Sequence, residues 1–423
     1  IFRGGGRTIT GGFPSPEEVL DSMNKNILIL ATVGGFLKKF ETDDVEILKE
    51  LGYTVHYAAN MREQHYLFDE TDLCRMGIKI HHIDIERSPY MIRENKKAFA
   101  QLLDIIDTFQ ISVIHCHTPV GGVLGRLAGR YFQNRRLQII YTAHGFHFYK
   151  GAPLLNNTVY YLVERLLARY TDVLITINQE DYDRAKKFRL KQGGRVYKIS
   201  GVGLDRAFFS PLFEEEKKKN RRELGTQGKF FFVTAGELNE NKNQRLVLEA
   251  LKEMKERGKD ISNYLYGICG DGFFYNRIKS WIEELGLNEN VKLYGYQMDV
   301  RKVVGSADCF VFPSKREGLG MAALEALSMG IPVVASDNRG TREYMKHKKN
   351  GYVCPSLNTD SFIQGLEYIE NLEETEKAEM CVWCRESVRR FSTDKTRSQM
   401  EAIYRGIEDG EKNIGHHRCV QSG

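Results

Sequence analysis

CFVFPSKREGLGMAALEALSMGIPVVASD, residues 309–337, reads as strand, loop, helix and strand. CFVF is an unbroken apolar run of strand length, the pattern of a strand covered on both faces in a parallel sheet. It ends at Pro313, the polar loop SKRE carries Glu317, and Gly318-Leu319-Gly320-Met321 opens a helix that contains Glu325. Free amides at that helix start suit an anionic diphosphate or sugar hydroxyls. Carboxylates accept hydrogen bonds from hydroxyls, so Glu317 is placed to grip a sugar and Glu325 a ribose diol. Two acids beside a phosphate site make chemical sense only where hydroxyls or a developing cation are also present.

Outward from this stretch the same alternation recurs. KFFFVTAGE, SNYLYGICGDG and NVKLYGY precede it as further strands of one lobe, residues 201–375. Before the punctuated segment SGVGLDRAFFSP (200–211), the runs NILILAT, TVHYAA, IKIHHID, ISVIHCH, QIIYTAH and DVLITIN form a second set in residues 24–200, separated by helices near 37–51 and 92–109. Each lobe is therefore expected to be a doubly wound α/β domain that binds ligands in the loops after its strands. Residues 376–410 read as one or two C-terminal helices crossing back over the lobes, and 411–423 as a tail. Residues 1–23 read as a leader, without core periodicity, outside the functional chain.

The 423 residues fit two domains; 42% hydrophobic and 28% charged residues describe a globular chain rather than a disordered or membrane-spanning one. The net charge is +5, and residues 24–200 hold 25 Lys and Arg against 19 Asp and Glu. Arg126, Arg130, Arg135 and Arg136 read either as a solvated helix face or as a patch for an anionic surface, phospholipid or a lipid-linked diphosphate. No motif for nucleic acid accompanies them. Eight scattered cysteines without framework spacing suit a reducing compartment, and the lone Cys381–Cys384 pair, in KAEMCVWCRESVRRF, reads as helix packing.

TVGGFLKKF sets Gly34 and Gly35 before a helix, where a backbone can approach an anion or simply turn. AGELNENKNQ sets Lys242 at a helix entrance as a diphosphate clamp. In IHCHTPVGG, His115 and His117 are expected to face opposite sides of a strand end, with His117 toward the cleft; no third ligand at useful spacing supports a metal site. Gly318-Leu-Gly320-Met-Ala-Ala323 also matches a dinucleotide fingerprint, but SKRE separates strand from glycines and the segment lies late in its lobe. An NAD-dependent oxidoreductase is a remote alternative on that account.

PSKREGLGMAALEALSMGIPVVASD resembles the glutamate, seven residues, glutamate signature of the retaining glycosyltransferases of family 4, whose fold is GT-B. YTAHGFHFYKGAP (141–153), LITINQEDYDRAKKF, GVGLD and AGELNENKN are similar to bacterial enzymes that extend capsular or exopolysaccharide repeats, over residues 24 to about 405. The resemblance implies two Rossmann-like domains facing a central cleft, closing about 200–211. It implies a nucleotide-sugar donor, UDP-linked, with Glu317 and His144 in catalytic positions and Lys242, Gly34, Gly35, Gly318, Leu319, Gly320, Met321 and Glu325 on the donor. His117 and Tyr149 are acceptor or cleft candidates. The implied acceptor is a saccharide on a polyprenyl diphosphate, at the inner face of the cell membrane, in a cytoplasmic enzyme that touches anionic lipid through its N-terminal domain and uses no metal or other cofactor. Many members carry arginine where this chain has Glu237, which either holds Lys242 or faces solvent. Asp181-Tyr182-Asp183 matches the DxD metal pattern of the other glycosyltransferase fold only superficially and reads as a helix start. A nucleotide-sugar epimerase or hydrolase of the same architecture is the alternative function.

Overall fold

The computed structural model describes residues 25–63, 68–135 and 137–419, and its apolar runs form two parallel sheets. The first contains β1 (Asn26–Val33), β2 (Thr54–Asn60), β3 (Lys79–His82), β4 (Val113–Cys116), β5 (Gln138–Ala143), β6 (Val173–Thr176) and β7 (Arg195–Lys198), ordered β3-β2-β1-β4-β5-β6-β7. The second contains β8 (Phe230–Ala235), β9 (Tyr264–Cys269), β10 (Val291–Gly295), β11 (Cys309–Phe312), β12 (Val333–Ser336) and β13 (Gly351–Cys354), ordered β10-β9-β8-β11-β12-β13. Central strands are mostly apolar because helices cover both faces; every residue of β4, β11 and β12 is buried.

The helices follow the same logic. In Ile92–Thr108 the buried residues Asn95, Ala98, Leu102, Ile105 and Ile106 recur at helical spacing and make one inward stripe. The helix expected over 37–51 is instead two, Phe36–Phe40 and Thr42–Glu50, interrupted at Glu41, whose φ of −124° leaves the helical region.

By contacts the chain forms two compact units: residues through 142 with 165–174 and 189–195, and residues 143–164, 175–188 and 196 onward. In the second unit Leu204 donates to Phe391 O (2.8 Å) and accepts from Thr393 N (3.1 Å), which ties the GVGLD segment to the start of the last helix. The C-terminal region forms Glu374–Ser387, opened by a capping box of Glu373 and Glu376, and Thr393–Cys419. Within the former, Cys384 is buried with its thiol 3.5 Å from Asn350 O, and Cys381 packs against Gly330, so the pair packs a helix as expected.

Two expectations are corrected. The rings of His115 and His117 lie 4.1 Å apart, because residues two apart on a strand share a face, and both are buried rather than open to a cleft. Arg126 leaves the basic patch: it is buried, donates to Gly122 O at 2.7 Å and lies 4.1 Å from the Tyr141 ring centre. Arg135 pairs with Asp107. Arg136 and the leader, residues 1–23, fall outside the described residues. Among the described residues no helix is long and apolar enough to cross a membrane.

Candidate active site

In the second sheet the chain winds outward from β8 to β10, then returns to lay β11 on the other side of β8. Loops leaving the carboxyl ends of β8 and β11 therefore part in opposite directions and open a crevice. The β8 loop carries Lys242 and the β11 loop carries Glu317, and Lys242 Nζ stands 2.6 Å from Glu317 Oε1. Topology alone would bring these residues near each other; backbone stitching fixes them. Lys315 N donates to Asn241 O (2.8 Å), Asn241 Nδ2 to Arg316 O (3.0 Å), and Lys242 N to Asn239 Oδ1 (3.0 Å). Asn243, at φ +55°, turns the chain into helix Gln244–Glu256, an αL position that asparagine tolerates. Glu237 is exposed, so Lys242 takes its carboxylate partner from Glu317.

Helix Met321–Ser328 starts at Gly320 (φ +90°) with no side-chain cap. Its sides are buried except at Met321, Ala322 and Glu325, so Glu325 lies on the accessible stripe, about one turn from the loop that holds Glu317. Gly318 is dictated by a close approach: a Cβ there would come 1.8 Å from His144 O. Gly340 does the same against Glu317 Cβ (2.9 Å). The TAHGF loop and the Glu317 loop thus touch through their backbones, and Leu319 is buried between them and Gly201.

Arg339, which the sequence reading did not single out, locks this junction. Its guanidinium donates to Asp181 Oδ1 (2.7 Å), to Phe146 O (2.5 Å) and to Glu317 O (3.2 Å), and it lies 5.2 Å from the Tyr149 ring centre. Asp181 is fully buried and also accepts from Phe146 N (3.1 Å) and Asn178 Nδ2 (2.8 Å); Asn178 Nδ2 in turn reaches Gly318 O (3.0 Å). Burial raises the Asp181 pKa and the Arg339 charge opposes that rise. Asp181 stands in the first turn of helix Gln179–Ala185, capped by Asn178, so DYD is a helix start, and its first acid is a structural anchor. The signal available in sequence was an arginine three residues past the β12 strand end, in SDNRGTREY.

His144 is partly exposed, and desolvation lowers its pKa to about 4. His147 is held at about 4 by burial and then by the charges of Arg316 and Arg339. Both imidazoles are neutral at pH 7, able to exchange hydrogen bonds with hydroxyls but not to offset phosphate charge. A cavity lined by Asn239, Gln244, Arg245, Arg277, Trp281 and Lys315 borders the Lys242 loop but includes neither Lys242 nor Glu317.

The other predicted residues lie at the corresponding place in the first sheet, where β1 and β4 part. Gly34 and Gly35 are buried; Gly34 N donates to Asn60 O (3.1 Å), Tyr57 OH donates to Val33 O (2.7 Å), and a Cβ on Gly34 would strike Phe68 at 2.4 Å. His117 is buried with Nδ1 3.3 Å from Glu41 Oε1 and its ring against Phe36.

Comparison with known proteins agrees with this construction. Residues 216–382 match the family of glycosyl transferases group 1, and residues 26–178 match glycosyl transferase 4-like. EpsD of Bacillus subtilis, which bears a provisional glycosyltransferase name, is 37% identical over 392 residues, 92% of this chain and 98% of EpsD. The Escherichia coli UDP-Gal:alpha-D-GlcNAc-diphosphoundecaprenol alpha-1,3-galactosyltransferase is 28% identical over 64% of this chain and 70% of its own length. In fold, HepE of Anabaena, crystallised with UDP and glucose, superposes with a TM-score of 0.72 at 18% identity, covering 90% of this chain and all of HepE. The Lys242–Glu317 crevice therefore sits in a protein that belongs to the family 4-like, group 1 glycosyltransferases of the GT-B fold.

Proposed function

We propose that the chain transfers a hexose or N-acetylhexosamine from a UDP-sugar, with retention of configuration, to a saccharide on a polyprenyl diphosphate, in capsule or exopolysaccharide synthesis at the inner face of the cell membrane. The observation that carries the reading is the Lys242–Glu317 pair at the β8/β11 crevice, beside the uncapped start of helix Met321–Ser328. Cation, carboxylate and helix amides are what a diphosphate joined to a sugar requires. The names of the Escherichia coli relative and of HepE's bound ligand support a UDP donor, and the former supports a lipid-linked acceptor.

Cleaving the anomeric C–O bond puts positive charge on the sugar ring and negative charge on the departing diphosphate. Lys242 and the amides at Gly320–Ala322 stabilise the latter, rather than a metal ion. An acceptor hydroxyl attacks the anomeric carbon on the leaving-group face, its proton passes to a β-phosphate oxygen, and UDP departs. Glu317 positions the sugar, neutral His144 hydrogen-bonds it from the adjoining loop, and Glu325 holds the ribose diol.

The test is incubation with a panel of nucleotide sugars, with and without a polyprenyl-diphosphate saccharide. Acceptor-dependent nucleotide release and an axial-to-axial anomeric outcome are expected. An isomerised donor with no acceptor present would overturn transfer, and an inverted linkage would overturn retention.

A further inference from the structure

Helix Leu154–Leu167 is built inside out. Its inward side carries polar groups beside Leu167 and two tyrosines: Asn157 accepts from Tyr149 N and donates to Ala152 O, both at 3.0 Å, and Glu164 is buried. Tyr160 and Tyr161 pack on His147 and Phe148 from the same side. Leu155, Val159, Leu162 and Leu166, spaced four, three and four apart, form one stripe on the opposite side, and all are exposed, Leu155 by 69% and Leu166 by 56%. Leu154 extends the stripe at 86% exposure and Val163 borders it. A helix that faces water normally shows the reverse pattern.

The charges around the stripe have one sign. Lys150, Arg165 and Arg169 are exposed, and the acid of this helix, Glu164, is turned inward. Among the described residues neither Arg165 nor Arg169 has an ion-pair or hydrogen-bond partner. On a helical projection Arg165 flanks the stripe and Arg169 continues its line past the helix end. An apolar stripe edged by long basic side chains matches a helix lying in a bilayer interface, leucines among the acyl chains and cations at anionic headgroups. A second copy fits less well, because a stable dimer takes roughly 20–30 residues from each side and this stripe offers six apolar ones.

We propose that helix Leu154–Leu167 docks the enzyme on an anionic lipid bilayer. This replaces the arginine cluster at 126–136 as the lipid-facing surface. It stands on the helix's own pattern, not on the transfer reading.

Flotation of the full chain with phosphatidylglycerol/phosphatidylcholine vesicles, and with phosphatidylcholine alone, tests it without any donor. The chain is expected to float with the anionic vesicles and to weaken as salt rises. Leu155→Ser with Leu162→Ser should cut partitioning by about tenfold or more, and Arg165→Gln with Arg169→Gln should remove the preference for anionic lipid. Because the changed residues are exposed, an unchanged circular-dichroism melt is expected of both variants. Absence of flotation, or equal flotation of the leucine variant, would overturn the proposal. So would sedimentation showing a dimer that the leucine variant converts to monomer, since the stripe would then be an interface between copies.

Discussion

The two sheets part their strands in the same way, at β1/β4 in one and β8/β11 in the other, yet the two places hold opposite chemistry. At β8/β11 a lysine and a glutamate meet with their side chains still partly exposed, 23% and 13%. At β1/β4 the ionisable groups are sealed: His115, His117, Glu41 and Asp44 are all buried, with His117 Nδ1 3.3 Å from Glu41 and Phe36 against its ring. Burial raises the Glu41 pKa well above the usual carboxylate range, and Asp44 adds to it. Shared topology supplies a crevice; the side chains at its mouth decide whether it can handle a charged ligand or serves as core.

The strongest way to break this contrast is Glu317→Ala, expected to lower turnover by about 10⁴-fold, ~5.5 kcal/mol of transition-state stabilisation. A variant with full kcat in the acceptor-dependent assay would remove Glu317 from catalysis. Next comes the anchor beneath the site. Asp181→Ala leaves the buried Arg339 without its carboxylate, and should cost ~3–5 kcal/mol of stability by denaturant unfolding. Lys242→Ala should reduce kcat/KM by about 10²-fold, ~2.7 kcal/mol, with little change in melting temperature; an unchanged kcat/KM refutes the clamp.

The smallest effect belongs to the sealed site. Below pH about 4.5, where both side chains are uncharged, Glu41→Gln should change stability by about 1 kcal/mol or less. The sign follows from proton uptake. With its folded pKa raised, Glu41 holds its proton in the native state while the unfolded chain has lost it, so its contribution is full below pH about 4.5 and fades as pH rises through the folded pKa. The glutamine variant should therefore show a flatter stability curve on the alkaline side of pH 4.5; a slope identical to the parent chain would contradict the raised pKa.

Much of this was legible in residue order. Each apolar run named as a strand from NILILAT to IPVVASD became one, since central strands of parallel sheets are apolar on both faces. RVYK (β7) and GYVC (β13) were not read because they are edge strands, half-exposed and short, with no run to reveal them. The Lys242 helix entrance and the Glu317 loop were read from glycines, strand ends and charge. Arg339 was not, because its role depends on three acceptors, Phe146, Asp181 and Glu317, which lie up to 193 residues from it along the chain.

By itself the sequence determined the two α/β domains, the family signature and the positions of Lys242, Glu317 and Glu325 on loops after strands and a helix start. These follow from local periodicity and from what a backbone turn allows. Only the tertiary structure decided which of these groups touch. It paired Lys242 with Glu317 rather than Glu237, drew Asp181 and Arg339 into a buried bracket, sealed His117, and turned Leu154, Leu155, Leu162 and Leu166 outward. Contact and burial depend on segments far apart in the chain, and no local pattern encodes them.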